Sequence, residues 1–93
     1  MPKKRNFSLP NRYIPKRSGV YIVHDEEGNV LDVGESAKVG QRIRTHERRA
    51  CWSENAVGAV RVQVVWTPGK KKAGRRVVEH QLRDEFDPDC GER

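Results

Sequence analysis

Apolar and polar residues alternate in three short stretches of this chain. Residues 18–24 read Ser-Gly-Val-Tyr-Ile-Val-His, rich in β-branched and aromatic types, and Val30-Leu31-Asp32-Val33 resumes the pattern after the turn residues Asp25-Glu26-Glu27-Gly28-Asn29. This predicts a β-hairpin. Alternation puts Val20 and Ile22 on one face and Tyr21 and Val23 on the other. A turn centred on Glu27 and Gly28 pairs Ile22 with Val33 and Val23 with Asp32, which makes Tyr21 and Asp32 diagonal neighbours on a shared face. Residues 60–66 alternate again as a third strand, ended by Thr67-Pro68-Gly69.

Helical spacing fills the intervals. Residues 39–50 predict one helix, with Ser36 as N-terminal cap, Val39, Ile43 and Ala50 as its buried stripe, and Gly40 as a weak spot in its first turn. On it Arg42 and His46 lie one above the other, while Arg44, Arg48 and Arg49 point to water. Residues 52–58 read as a loop. Residues 74–86 predict a second helix that buries Val78, Leu82 and Phe86 and stops before Pro88, with Glu79 beside the stripe. The order hairpin, helix, strand, helix gives an α/β (α+β) fold: a small three-stranded antiparallel sheet flanked by helices, with one face left for solvent or a ligand.

Ninety-three residues allow one small domain, and with 34% apolar residues its core is thin. Residues 1–17, with Pro2, Pro10 and Pro15, read as a basic N-terminal arm settling near Phe7, Leu9 and Ile14, and residues 18–93 as the domain. No apolar run approaches bilayer length and no signal-peptide core follows the basic start, so the expected location is cytoplasmic, nucleoid or nuclear rather than secreted. On that reading Cys51 and Cys90 are free thiols. A mixed site using them with His24, His46 or His80 lacks any C-x-x-C spacing.

The net charge of +6 is unevenly placed. Basic clusters occupy residues 1–17, 38–49 and 70–76, and acidic ones residues 25–35 and the stretch from Glu79 onward. Lys38, Arg44, Lys70, Lys71, Lys72, Arg75 and Arg76 are therefore candidate contacts for a nucleic-acid backbone, DNA first and RNA as well. The alternative is a solvated basic surface.

Four chemically competent groups occur in order: Tyr21, Arg42, His46 and Glu79. Phosphodiester hydrolysis needs a proton acceptor for water, positive charge on the phosphate oxygens and a metal or acid at the leaving oxygen. A phenol with perturbed acidity can serve the first need, a forked guanidinium the second and a carboxylate holding Mg²⁺ the third. A histidine one turn from the arginine can relay a proton or bind phosphate. Taken singly, each residue has an ordinary structural explanation: a strand aromatic, a surface arginine, a structural histidine, a helix acid paired with Arg83.

Their spacing resembles the GIY-YIG nuclease superfamily. Gly19-Val20-Tyr21 is similar to its first motif, Gly34-Glu35-Ser36 followed by Gln41-Arg42-Ile43-Arg44-Thr45-His46 to its arginine and histidine helix, and Glu79-His80-Gln81-Leu82 through Phe86-Asp87-Pro88 to its glutamate segment. The resemblance implies a three-stranded antiparallel sheet and an endonuclease with one divalent ion, Mg²⁺ or Mn²⁺. Tyr21 would activate water, Arg42 clamp phosphate, His46 assist and Glu79 bind the metal. Two positions depart from the pattern. Asp32 stands where the second motif supplies a tyrosine, and Gly91 where the family often has asparagine. Asp32 would accept the Tyr21 proton, join Glu79 on the metal, or repel phosphate and mark a domain that binds without cutting. The alternatives to an endonuclease are thus a catalytically degenerate nucleic-acid-binding module and an accessory subunit docking through its arm and the Trp52 loop.

Overall fold

A computed structural model describes residues 14–69 and 71–91 and the backbone of residues 4–8. Along the chain these form β1 (Lys4–Ser8), β2 (Gly19–His24), β3 (Val30–Ser36), α1 (Val39–Arg44), α2 (Arg49–Asn55), β4 (Arg61–Trp66) and α3 (Lys72–Phe86). Among the described residues the strands make one antiparallel sheet in the order β1-β4-β2-β3.

The hairpin register is the one that the turn chemistry predicts: Ile22 faces Val33 and Val23 faces Asp32. Asp25 pins the turn. Its Oδ1 accepts the N–H groups of Glu27 and Asn29, and its Oδ2 accepts the Asn29 side-chain amide and the Val57 N–H, all at 2.9 Å. Gly28 takes φ +84° there, a conformation that side chains disfavour. A register shift after Val23 brings Leu31 to the same core as Tyr21 and Val23.

The alternation of β2 divides the interior in two. Tyr21, Val23, Val62 and Val64 pack with Val39 and Ile43 of α1 and Trp52 of α2. Val20, Ile22 and Val33 pack with Val78 and Leu82 of α3 on the opposite side. Helices therefore cover both faces, and the expectation of one bare face is overturned. Phe86, expected in the α3 stripe, is 41% exposed.

Two sequence expectations about chain organisation also change. The N-terminal arm contains a strand: residues 4–8 pair with β4 from Lys4 opposite Val65 to Ser8 opposite Arg61, so the sheet gains a fourth member. Leu9 and the side chain of Phe7 lie outside the described residues, whereas Ile14 is in the core. The single helix over 39–50 is two short ones with a turn between them, and Trp52 belongs to α2 rather than to a loop. Ser36 accepts the Lys38 N–H in a local turn, and α1 begins at Val39. Its first N–H groups, from Val39 and Gly40, are met by the carbonyls of Arg17 and Pro15. Gly40 is needed for that approach, since a Cβ would fall on the Ile14 carbonyl oxygen.

Cys51 and Cys90 are not free thiols. They form a disulfide that ties α2 to the segment after α3. Distance along the chain misled the sequence reading, because folding brings the two Cα atoms within 6.1 Å. The same segment lies along the outer border of β3, where the Cys90 N–H donates to the Leu31 carbonyl at 2.7 Å. Covering an edge in this way removes a template for unwanted strand pairing. No helix among the described residues is long and apolar enough to cross a membrane.

Candidate active site

Tyr21 points from β2 across its partner Gly34 on β3. A Cβ at position 34 would overlap the Tyr21 hydroxyl, so glycine opens the slot through which the ring passes. The hydroxyl lies 2.7 Å from Nε2 of His46, a residue in the turn between α1 and α2. His46 packs against Trp52 with ring centroids 4.6 Å apart and ring planes tilted by 47°. The break in the expected helix is what turns the imidazole inward, so Arg42 and His46 do not share a helix face.

The Arg48 N–H donates to His46 Nδ1 at 3.1 Å, so the neutral ring carries its proton on Nε2 and donates it to the phenol oxygen. Burial, helped by the charges of Arg42 and Arg48, pushes the His46 pKa down to about 4. Burial pushes Tyr21 up to about 12, against the opposing charge of Arg42. At neutral pH both side chains are uncharged, and the phenol's own proton is free to point into the cavity.

Asp32, which departs from the pattern that the resemblance implies, has its oxygens filled. Oδ1 accepts from Arg83 at 2.7 Å and from the Val33 N–H at 2.8 Å; Oδ2 accepts from Arg48 Nε at 2.7 Å and Trp52 Nε1 at 2.9 Å. The residue is fully buried. The expectation that it takes the Tyr21 proton or joins a metal ion is corrected: an acid with four internal donors is an anchor, and two arginines already offset its charge. Arg83 also donates to the carbonyls of Val33 and Cys90.

Tyr21, Arg42 and Glu79 meet in one cavity of about 560 Å³, which Glu35, Arg48, His80, Arg83 and Gly91 complete. Glu79 is half-buried on α3 and has no hydrogen bond or ion pair among the described residues. It does not pair with Arg83, which is committed to Asp32. The second cavity acid, Glu35, is bound to Arg75 at 2.9 Å. No group of three or more His, Cys, Asp or Glu able to enclose a metal ion exists among the described residues. A single oxygen-ligand acid facing a cavity still fits Mg²⁺ or Mn²⁺, because Mg²⁺ usually keeps several waters and takes phosphate oxygens as ligands. Glu79 meets that description.

The candidate backbone contacts divide. Lys38, Arg44, Lys71, Lys72 and Arg76 are exposed, and Lys70 lies outside the described residues. Arg75 is buried between Glu35 and Ser18, which withdraws it from any surface role. Arg48, expected to face water, instead lines the cavity and holds Asp32. Arg83, Glu35 and His80 are further cavity residues that the pattern did not single out. Only the four-residue step from Glu79 to Arg83 hinted that α3 presents more than one polar group to this side. The sequence matches no protein-family model and no curated protein.

Proposed function

We propose that this protein is a metal-dependent endonuclease of the GIY-YIG type that hydrolyses phosphodiester bonds in DNA, and in RNA where the strand fits. The observation that carries the reading is the convergence of Tyr21, Arg42 and Glu79 in one cavity whose other walls include Arg48, His80 and Arg83. A phenol, a set of guanidiniums and one unpaired carboxylate around a space of that size suit a sugar–phosphate link.

Arg42 and Arg48 bind the scissile phosphate, the first through its planar fork. Glu79 would hold one Mg²⁺ or Mn²⁺, which when bound supplies positive charge to the phosphate and the leaving oxygen. Tyr21 accepts the proton of the attacking water as phenolate. Its raised pKa makes that form rare in the free protein, so the phenol releases its own proton to solvent only as added positive charge enters the cavity. His46 Nε2–H and the Arg42 charge then stabilise the phenolate oxygen, and the neutral histidine serves as donor, not as base. Asp32 orients Arg48 from behind.

Cleavage of supercoiled, single-stranded and branched substrates in Mg²⁺ or Mn²⁺ tests this. The wild type should cut at least one of them and fall silent in EDTA. Glu79→Gln should lose about a hundredfold or more in rate, the scale of losing one transition-state charge contact. A protein that cuts none of them with either metal is instead a binding module. The burial of Tyr21, which pushes its phenol up to about 12, favours that second reading. It requires steeply salt-dependent DNA binding that Glu79→Gln leaves intact.

A further inference from the structure

Arg42, the proposed phosphate clamp, already holds an anion. Its two terminal nitrogens donate to the two oxygens of Glu47 at 2.6 and 2.8 Å. Arg48 Nη1 lies 3.6 Å from the same carboxylate. Glu47 is thus an oxyanion placed between two arginines that both line the cavity, although Glu47 itself is absent from the cavity wall and its side chain is 62% exposed. Its neighbours along the chain are fixed: His46 is buried against Tyr21, and Arg48 is bound to Asp32. The turn therefore holds the Glu47 backbone at the rim while its side chain keeps an open route to water.

We propose that Glu47 is a built-in competitor for DNA phosphate, occupying the Arg42 fork in the free protein and swinging out to solvent when a phosphodiester enters. This rests on the reading of Arg42 as a phosphate contact. A planar carboxylate and a phosphate present the same pair of oxygens to a guanidinium, so one fork cannot serve both at once. Exchange is easy because an exposed ion pair is worth little in water. Arg42 holds the Glu47 carboxyl down to about 2, so near neutral pH the competitor leaves by displacement and not by protonation. The consequence is selectivity. An isolated phosphate must outcompete a tethered carboxylate, whereas a strand that also meets the exposed lysines brings enough additional contact to displace it.

The test is fluorescence anisotropy of a labelled DNA duplex with the full-length protein in EDTA, where no cutting occurs. Glu47→Gln should tighten Kd about fivefold, the scale of an exposed ion pair, and the gain should vanish in an Arg42→Gln background. Neutralising Glu54, an exposed acid on α2, controls for general charge and should change Kd less, with any gain persisting beside Arg42→Gln. An unchanged or weaker Kd for Glu47→Gln, while Arg42→Gln alone weakens binding, overturns the competitor and leaves the cavity reading standing. If Arg42→Gln alone has no effect on binding, both fall. A gain from Glu47→Gln that survives Arg42→Gln also overturns the proposal, since it would be bulk electrostatics.

Discussion

Two arginine–carboxylate clusters beside the cavity, one at Asp32 and one at Glu47, are built for opposite ends. Behind it, Asp32 is fully buried and takes donors from Arg48, Arg83, Trp52 and its own strand. At the rim, Glu47 engages Arg42 through two short contacts with most of its side chain in water. Distance alone does not separate them. Solvent does, because a buried charge that loses its partner has no water to turn to, whereas an exposed one has. The inner cluster is scaffold and the outer pair is exchangeable.

Truncation at each acid breaks or sharpens that contrast. Asp32→Ala strands two guanidiniums and should cost about 3–5 kcal/mol in urea denaturation, while Glu47→Gln should leave the midpoint where it is. Equal effects would erase the distinction between the clusters. Reducing the Cys51–Cys90 bond is the next largest perturbation. It opens a link across 39 positions that also secures the segment on which Arg83 rests, and the expected loss is about 3–4 kcal/mol. If dithiothreitol leaves the denaturation curve unmoved, the inner cluster stands without that tie.

The smallest effect is with pH, through the uncharged pair beside the clusters. His46 titrates near 4 when folded against 6.5 when unfolded. The unfolded chain binds the extra proton, so this contribution is full above pH 6.5 and fades as pH falls toward 4. Tyr21 titrates near 12 when folded against 10.0 when unfolded, so its contribution is full below pH 10 and fades as pH rises toward 12. Thermal unfolding across pH 4–7 should show the acid limb, and His46→Gln should flatten it within that window. Retention of the limb in the variant would assign it to other groups.

The hairpin was legible in the sequence down to its register, because period-two alternation and an Asp-Glu-Glu-Gly-Asn turn constrain each other. The third alternating strand and the α3 span were legible for similar reasons. The break between α1 and α2 was not, since Val39, Ile43 and Ala50 keep helical spacing through it and only the long-range contacts of His46 bend the chain there. Arg48 looked like a solvent-facing charge and Arg83 like the partner of Glu79, because nothing local reveals that Asp32 waits for them across 16 and 51 positions. Asp32 departs from the pattern that the resemblance implies, and its place in the structure is architectural: position 32 supplies the anion around which two arginines and an indole are assembled. Cys51 and Cys90 show the same blindness to distance.

β1 has a practical corollary. Because residues 4–8 run alongside β4, shortening the protein to begin at Ile14 would strip a neighbour from residues 61–66 and leave their amides and carbonyls facing outward. Those groups would seek another chain. Trimming the amino terminus to obtain a tidier sample would therefore invite self-association through β4.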